Sequence, residues 1–116
     1  MLGLVTYAND LFVGKAPLGA RRSSGWTRFR RSIIAETPQC SVCGSTQKLE
    51  VHHIIPFHID PERELDPTNI VVLCESGKLG VICHRFFGHL GDYKLYNKDV
   101  LMDALIWQTK LLRVRE

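Results

Sequence analysis

The sequence lacks the features that define several large classes of protein. No apolar run approaches the roughly 20 residues of a membrane-spanning helix, and there are no internal repeats or low-complexity tracts. The excess of positive over negative charge is small, since 15 basic and 12 acidic residues leave a formal net charge of +3. This net charge by itself does not indicate a nucleic-acid partner. The apolar start has no basic leader and is interrupted by Asn9 and Asp10. We therefore expect no secretory signal and a cytoplasmic location.

Length and composition predict one small globular domain. The chain has 116 residues, of which 45% are apolar and 23% charged. These values exclude a disordered tail and leave enough apolar surface for one core. The unusual counts are four cysteines and five histidines, all of them between residues 40 and 89. In a reducing compartment such a cluster indicates bound metal rather than disulfides.

The first 39 residues are basic, with six Lys or Arg against two acidic residues. Within them, Ser23 or Ser24 is placed to cap a short helix. The apolar residues of this helix recur at helical spacing: Trp26, Phe29, Ile33 and Ile34. The helix is predicted to end at Thr37-Pro38, because a residue before proline is pushed out of helical geometry.

The middle of the chain alternates turns with short runs of β character. Residues 49–55 and the β-branched run 69–74 are predicted to be strands. Between them, residues 56–67 form a long polar connection with three prolines, and a loop of that length inside a compact domain is usually functional. A helix is predicted to begin near Cys83.

The last part of the chain is predicted to be a helix that packs on the same domain. Asn97 is placed to cap it, and its apolar residues recur at helical spacing: Val100, Leu101, Ala104, Leu105, Trp107, Leu111 and Leu112. We accordingly divide the chain into an N-terminal segment (residues 1–20), a central domain (21–97) and this C-terminal helix (98–116).

The four cysteines form two pairs, Cys40-x-x-Cys43 and Cys74-x8-Cys83. The first pair has the spacing of a zinc knuckle, a tight turn that aims two thiolates at one point. Gly44 follows it, where a positive φ is expected. The second pair completes the tetrahedron that Zn²⁺ prefers, so we predict a structural zinc site with no open position for catalysis. The alternatives are buried free thiols and a thiol redox site at the first pair, which lacks the usual active-site surroundings.

A second cluster follows in the order His52-His53, Asn69, His84 and His89. Neighbours on a strand point to opposite faces, so we expect that His52 and His53 do not both face the core. If the second strand folds back on the first as a hairpin, Asn69 comes near the histidine pair. His84, in the next helix, then approaches the same side. The pattern predicts imidazoles that converge on one cleft.

These motifs together resemble the HNH endonucleases of the ββα-metal, or His-Me finger, group. The similarity covers roughly residues 21–97 and is carried by the combination: Cys40-x-x-Cys43, Leu49-Glu50-Val51-His52-His53-Ile54-Ile55-Pro56, Asn69-Ile70-Val71-Val72-Leu73-Cys74 and Cys83-His84. Further segments are similar to the phage and prophage branch found beside packaging genes: Arg21-Arg22-Ser23-Ser24-Gly25-Trp26, Pro38-Gln39-Cys40, Glu64-Leu65-Asp66-Pro67 and Cys83-His84-Arg85-Phe86-Phe87-Gly88-His89-Leu90. The resemblance implies an α+β fold with a ββα-metal core, a zinc knuckle, and flanking N- and C-terminal helices.

Carried over position by position, the resemblance implies distinct roles. His53 matches the general base that activates water, and imidazole titrates near neutrality as that task requires. His52 and His84 match ligands of the catalytic divalent ion, and Asn69 matches the residue that orients the base. Many members have aspartate in place of His52. The expected ion is Mg²⁺ or Mn²⁺, and this departure makes Zn²⁺, Ni²⁺ and Co²⁺ the alternatives, because imidazole favours softer ions than carboxylate does.

Two histidines are not assigned by the core of this pattern. His89 lies five residues after His84, which on an α-helix rotates it off the same face. We interpret it as an extra ligand of the catalytic ion or a phosphate contact, or else as a residue that docks the final segment. We interpret His58 as a loop residue.

Basic side chains are the candidates for substrate binding, which rests mostly on phosphate contacts. The set predicted to bind DNA flanks the motifs on both sides: Arg21, Arg22, Arg28, Arg30, Arg31, Lys78, Arg85 and Lys94. The alternative is a solvated basic helix. No element resembles a base-reading module, so we expect weak specificity or a partner that supplies it.

The resemblance as a whole implies a metal-dependent endonuclease that nicks or cuts duplex DNA and leaves 5′-phosphate and 3′-hydroxyl ends. The expected setting is phage DNA packaging beside terminase proteins, in a bacterial host cell, with the protein a monomer or weak dimer. The alternatives are a restriction or defence nuclease that needs a targeting partner, and a catalytically silent zinc module that binds DNA or protein.

Overall fold

Two short antiparallel strands form the centre of the fold and separate two packed layers. The computed structural model describes residues 22–115, so the predicted segment 1–20 and Arg21 lie outside the described residues. The elements follow in the order α1 (Trp26–Glu36), β1 (Leu49–His53), β2 (Ile70–Cys74), a π-helical turn (His84–Gly88) and α2 (Val100–Arg115). Helices combined with a two-stranded antiparallel sheet confirm the predicted α+β class.

The strands pair over five residues each and are shorter than the predicted runs. They end early because Asn69 takes the hydrogen-bonding groups with which the ladder would continue. Its side-chain oxygen accepts from the Ile55 N–H at 2.9 Å, and its amide donates to the Ile55 carbonyl at 3.1 Å. The connection between the strands contains two 3-10 turns, Pro61–Arg63 and Pro67–Asn69.

Helix α1 covers one face of this sheet. Ile33 of the helix is buried against Val51 and Val72 of the strands, and Trp26 and Phe29 pack beside them. This is the apolar stripe that the sequence predicted. The stripe carries the hydrophobic contacts that hold α1 to the sheet.

The opposite face carries the larger of the two core clusters. It joins β2, the cysteine knuckle, the π-helical turn and α2 through a continuous set of buried residues: Cys40, Val42, Cys43, Val71, Leu73, Cys74, Cys83, Phe87, Val100 and Ala104. Leu73, Cys74, Cys83 and Val100 have no measurable exposure. The cysteines therefore lie inside the core rather than at its edge.

Since both faces of the sheet are covered, both members of the histidine pair are buried. His52 is 3% exposed and His53 is 6% exposed. The expectation that only one of them faces the core was wrong, because it assumed a sheet with one solvated face. The alternation itself holds: His53 contacts Trp26 of α1, at 5.0 Å between ring centroids, and His52 lies against the π-helical turn at Gly88.

The two ends of α1 compare differently with the sequence prediction. Gly25 precedes the first helical residue and no side chain caps the helix, so the predicted serine cap was wrong. The Ser23 N–H donates instead to the buried Glu64 carboxylate at 3.0 Å, which draws the residue away from a capping position. The predicted C-terminal end is confirmed, since the helix stops at Thr37 before Pro38.

Helix α2 starts at Val100, later than the predicted start at Lys98, and packs on the core along a narrow stripe. Asn97 holds its start, with its side-chain oxygen accepting from the Asp99 N–H at 3.0 Å. Val100 and Ala104 are buried, whereas other apolar residues of the helix are more than half exposed: Leu101, Met102, Leu105, Leu112 and Val114. Among residues 22–115, no helix is long and apolar enough to cross a membrane.

The close approach of the π-helical turn to β1 predicts the effect of one substitution. In Gly88→Ala, the new Cβ would lie 2.9–3.1 Å from ring atoms of His52, so the ring or the turn must shift. We expect the free energy of unfolding to fall by about 1–3 kcal/mol, measured by chemical denaturation. Lys98→Ala, at an exposed residue, is the control and should stay within about 0.5 kcal/mol of the wild type. An unchanged Gly88→Ala protein would contradict this packing.

Candidate functional site

Three imidazoles form a compact group on the face of the sheet away from α1. His52 comes from β1, His84 from the start of the π-helical turn, and His89 from the residue after it. Their ring centroids are 4.7–5.1 Å apart, and one nitrogen from each ring lies within 4.8 Å of the others. The structure thus brings His52 and His84 together, and His89 joins them.

The π-helical turn explains why His84 and His89 meet. On an α-helix, with 3.6 residues per turn, a separation of five places two side chains on different faces. A π-helix bonds residue i to i+5 and widens the turn, which brings residues five apart onto nearly the same face. The sequence expectation that His89 rotates away was wrong because it assumed α-helical geometry. The Nε2 atoms of the two rings are 3.2 Å apart.

Hydrogen bonds outside the group fix how His84 and His89 present their nitrogens. The Glu75 carboxylate accepts from His84 Nδ1 at 2.9 Å, and the Leu95 carbonyl accepts from His89 Nδ1 at 2.7 Å. Carboxylate and carbonyl oxygens only accept, so both Nδ1 atoms carry the proton. In neutral rings the two Nε2 lone pairs then face each other, and this contact requires a shared proton or a cation between them.

His52 adds a third nitrogen, which has no hydrogen-bond partner in the part of the chain that the structure describes. Its Nε2 is buried and makes no hydrogen bond among the described residues, although buried polar atoms are almost always paired. Burial, followed by repulsion from His84, His89 and His53, lowers the pKa of His52 to about 3. The ring is therefore neutral at pH 7 and has a lone pair to offer. Three imidazole nitrogens around one point fit a divalent transition-metal ion.

His53 lies on the other side of the sheet and has a different environment. Its Nε2 is 2.8 Å from the Glu64 carbonyl oxygen, which makes Nε2 the protonated nitrogen and leaves Nδ1 as the basic one. Burial is the main cause that lowers the pKa of His53, and the Arg22 charge adds to it. The ring is thus held in one tautomer and is available as a base at neutral pH.

Asn69 fixes the chain that follows His53. Its bonds to the backbone of Ile55, and a longer one of 3.4 Å to the Arg63 carbonyl, tie the end of β1 to the long connection. The backbone carbonyl of Asn69 also accepts from the Ile54 N–H at 2.9 Å. Asn69 is 1% exposed, so its side chain hydrogen-bonds to the loop and not to solvent.

A cleft of about 400 Å³ opens over both sets of histidines. His52, His53, His84 and His89 all line it, and His58 does so too, which the interpretation as a plain loop residue did not foresee. Aromatic and basic side chains complete the wall: Arg22, Trp26, Arg30, Phe57, Tyr93, Lys94 and Tyr96. The cleft therefore combines cationic groups with the candidate chemistry.

The basic residues named from the sequence divide into two groups. Arg22, Arg30 and Lys94 line the cleft, with the Arg22 guanidinium 4.5 Å from the Phe57 ring centroid. The others with described positions are exposed and do not line it: Arg28, Arg31, Lys78 and Arg85. Arg85 stays near its rim, 6.0 Å from the ring centroid of Tyr93.

Three acidic or phenolic residues at the site were missed by the sequence reasoning. Glu75 and Tyr93 bond to each other at 3.1 Å beside His84, and the buried Glu64 supplies both a carboxylate for Ser23 and a carbonyl for His53. Glu64 did stand inside a quoted motif. Glu75 gave only one signal, its position directly after Cys74.

The four cysteines meet inside the core and form no disulfide. Their sulfur atoms lie within 4.8 Å of one another, and those of Cys43 and Cys74 are 3.5 Å apart. Four thiolates at about 2.3 Å from one zinc ion require nearly this spacing. Gly44, at φ +76°, gives the knuckle the turn that the sequence predicted.

Electrostatics favour a cation among these sulfurs. Cys83 donates to Cys40, which lowers the pKa of Cys40 to about 4 and raises that of Cys83. Burial also raises the pKa of Cys43. Without a cation one thiolate forms at the expense of its neighbours, whereas a divalent ion stabilises several thiolates at once.

Comparison with known proteins agrees with this geometry. No curated protein and no solved structure matches the chain. The model of the HNH endonuclease family matches residues 40–86, a span that contains all four cysteines together with His52, His53, Asn69 and His84. Residues 40–86 therefore match the HNH endonuclease family, and this match supports a nuclease-type function in general.

Proposed function

We propose that the protein is a divalent-metal-dependent endonuclease that hydrolyses phosphodiester bonds in DNA. The observation that supports this most strongly is the placing of a base and a three-imidazole group on opposite faces of one strand, with both open to one cleft. The match to the HNH endonuclease family concerns residues 40–86, and the activity proposed for this chain goes beyond that match.

His52, His84 and His89 are the residues that would hold the catalytic ion. When bound, a divalent ion there supplies positive charge that offsets the negative charge developing on the phosphate and on the leaving oxygen. Nδ1 of His84 and of His89 donates to Glu75 and to Leu95, respectively, so each ring has the lone pair of Nε2 to offer. An all-imidazole set favours borderline ions such as Zn²⁺, Co²⁺ or Ni²⁺ over Mg²⁺.

His53 is proposed to take the proton from the attacking water. The Glu64 carbonyl holds the Nε2 proton, so the proton from water would go to Nδ1. The ring cannot swing freely because Trp26 packs on it at 5.0 Å. Asn69 supports the same end of the strand and is proposed to act by positioning, through its two bonds to Ile55.

Substrate binding is proposed to rest on the cationic wall of the cleft. Arg22, Arg30 and Lys94 lie where a phosphate strand entering the cleft would pass, and such contacts are largely independent of base sequence. Arg30 is partly engaged by Glu50 at 3.4 Å, so Arg22 and Lys94 carry most of the available charge. Arg28 and Arg31 would contact DNA only outside the cleft.

The biological setting is proposed from sequence resemblance alone. The segments similar to the phage and prophage branch indicate a nuclease that works beside terminase proteins during DNA packaging, in the cytoplasm of a bacterial host. Targeting by such a partner accords with a cleft whose cationic wall reads phosphate rather than bases. We also propose Zn²⁺ as the ion of the four-cysteine site, where it would stabilise the fold.

His53→Ala tests the activity directly. The zinc-loaded wild type should convert supercoiled plasmid to relaxed or linear DNA when Mn²⁺, Mg²⁺, Co²⁺ or Ni²⁺ is added. The variant should be slower by at least about 100-fold, the usual contribution of a general base, while it keeps its DNA affinity and its divalent-ion affinity. A wild type that binds DNA but is inert with every ion would contradict the proposal and favour a silent module.

The pH dependence of cleavage gives an independent test of the base. Burial lowers the pKa of His53 from its ordinary value, so the neutral, active form persists to lower pH than for a free histidine. We expect the cleavage rate to fall on the acid side with a midpoint below about 6.5. Arg22→Gln, which removes a positive charge, should raise that midpoint. A midpoint at or above the ordinary value would contradict the assignment of His53.

Cys83→Ser tests the zinc assignment. The wild type should retain one zinc ion per chain after dialysis, and the variant should lose it together with much of its thermal stability, because zinc binding contributes directly to folding. Thr46→Ala, at an exposed residue beside the knuckle, is the control and should keep its zinc. Unchanged zinc content in Cys83→Ser would rule out a four-cysteine site.

A further inference from the structure

The Glu75 carboxylate is held in place from several directions. Its Oε1 accepts from His84 Nδ1 at 2.9 Å and from the Tyr93 hydroxyl at 3.1 Å. The backbone N–H of Glu75 donates to the Lys48 carbonyl at 2.9 Å, which fixes the residue at the end of the sheet. The Tyr93 ring also packs against the His84 ring, at 5.6 Å between centroids. The carboxylate is thus a fixed acceptor and not a mobile surface charge.

The chain connectivity explains why Glu75 meets His84. Each of them directly follows a cysteine of the buried cluster: Cys74 precedes Glu75, and Cys83 precedes His84. The two cysteines lie in one sulfur group, so the residues after them are brought side by side. The contact therefore spans the boundary between the two candidate metal sites.

Of the two acceptors that fix the imidazole group, only one is a side chain. The Leu95 carbonyl that bonds His89 belongs to the backbone, whereas Glu75 acts through its carboxylate. A carboxylate that accepts from the outer nitrogen of a metal-binding histidine fixes its tautomer and ring orientation and raises its basicity. Without that acceptor, a neutral His84 could place its proton on Nε2 and could no longer offer a lone pair there.

We propose that Glu75 is a positioning residue of the imidazole site, which holds His84 in the tautomer and orientation that make Nε2 a ligand. This inference rests on the proposed function, since it concerns the same divalent ion. Tyr93 supports Glu75 from the side of the cleft. Glu75 does not touch the reacting groups.

Two measurements on zinc-loaded protein test the proposal. Long-range ¹H–¹⁵N spectra of ¹⁵N-histidine protein, without a second ion, report the tautomer of His84. The wild type should carry the proton on Nδ1, and Glu75→Ala should show a substantial population with the proton on Nε2. Titration with Ni²⁺, followed by calorimetry, should show an affinity that is about 10–100-fold weaker in Glu75→Ala than in the wild type.

Matched variants separate the hydrogen bond from the charge. Glu75→Gln keeps an oxygen that can accept from Nδ1, so it should retain the wild-type tautomer and lose less Ni²⁺ affinity than Glu75→Ala. Glu50→Ala removes a nearby carboxylate that pairs with Arg30 instead of a histidine, and it should leave the tautomer and the affinity unchanged. Retained zinc content in every variant shows that the fold is intact.

The outcomes distinguish the two levels of the proposal. Wild-type Ni²⁺ affinity in Glu75→Ala, with binding lost in His84→Ala, would overturn the role of Glu75 and leave the proposed function standing. The absence of Ni²⁺ binding in the wild type itself would overturn the ion site and the inference together. An equal loss of affinity in Glu50→Ala and Glu75→Ala would also overturn the role of Glu75, because charge alone would then explain it.

Discussion

The meeting of Cys74 and Cys83 inside the core is the constraint on which the rest of the site depends. Cys74 ends β2, and Cys83 directly precedes the π-helical turn. Their contact therefore sets where the turn lies relative to the sheet. Gly88, which has no side chain, lets the turn approach β1 until it touches His52. The group of imidazoles is therefore a by-product of a sulfur cluster that itself takes no part in the proposed chemistry.

The two-sided burial of the sheet separates two tasks that must not interfere. The ring of His53 lies against Trp26 of α1 and donates its Nε2–H to the Glu64 carbonyl. His52 faces the other layer with a nitrogen that makes no hydrogen bond within residues 22–115. One strand residue can thus serve as a base while its neighbour serves as a ligand. A protein with one open sheet face would leave one of these rings solvated.

The sequence predicts the local parts of this arrangement well and the tertiary parts poorly. The informative patterns are short-range: the spacing of the cysteines, the two β-branched runs and the position of Asn69. They were sufficient to predict the α+β class and the cysteine cluster. His89 was misplaced because a π-helical turn has no simple periodicity in the sequence. Glu75 was missed because its partner is nine residues away and meets it only through the core. The serine cap of α1 failed for the same kind of reason, since Glu64 competes for that segment from 41 residues away.

The position of the sulfur cluster has a consequence for the supply of metals. In an unfolded chain the four cysteines are spread over residues 40–83, and binding of the proposed zinc ion would bring them together. A cell that is short of zinc would then make chains in which the histidines never meet, whatever its content of magnesium or manganese. Zinc availability would determine how many competent molecules exist, and the second ion would determine how fast each of them works.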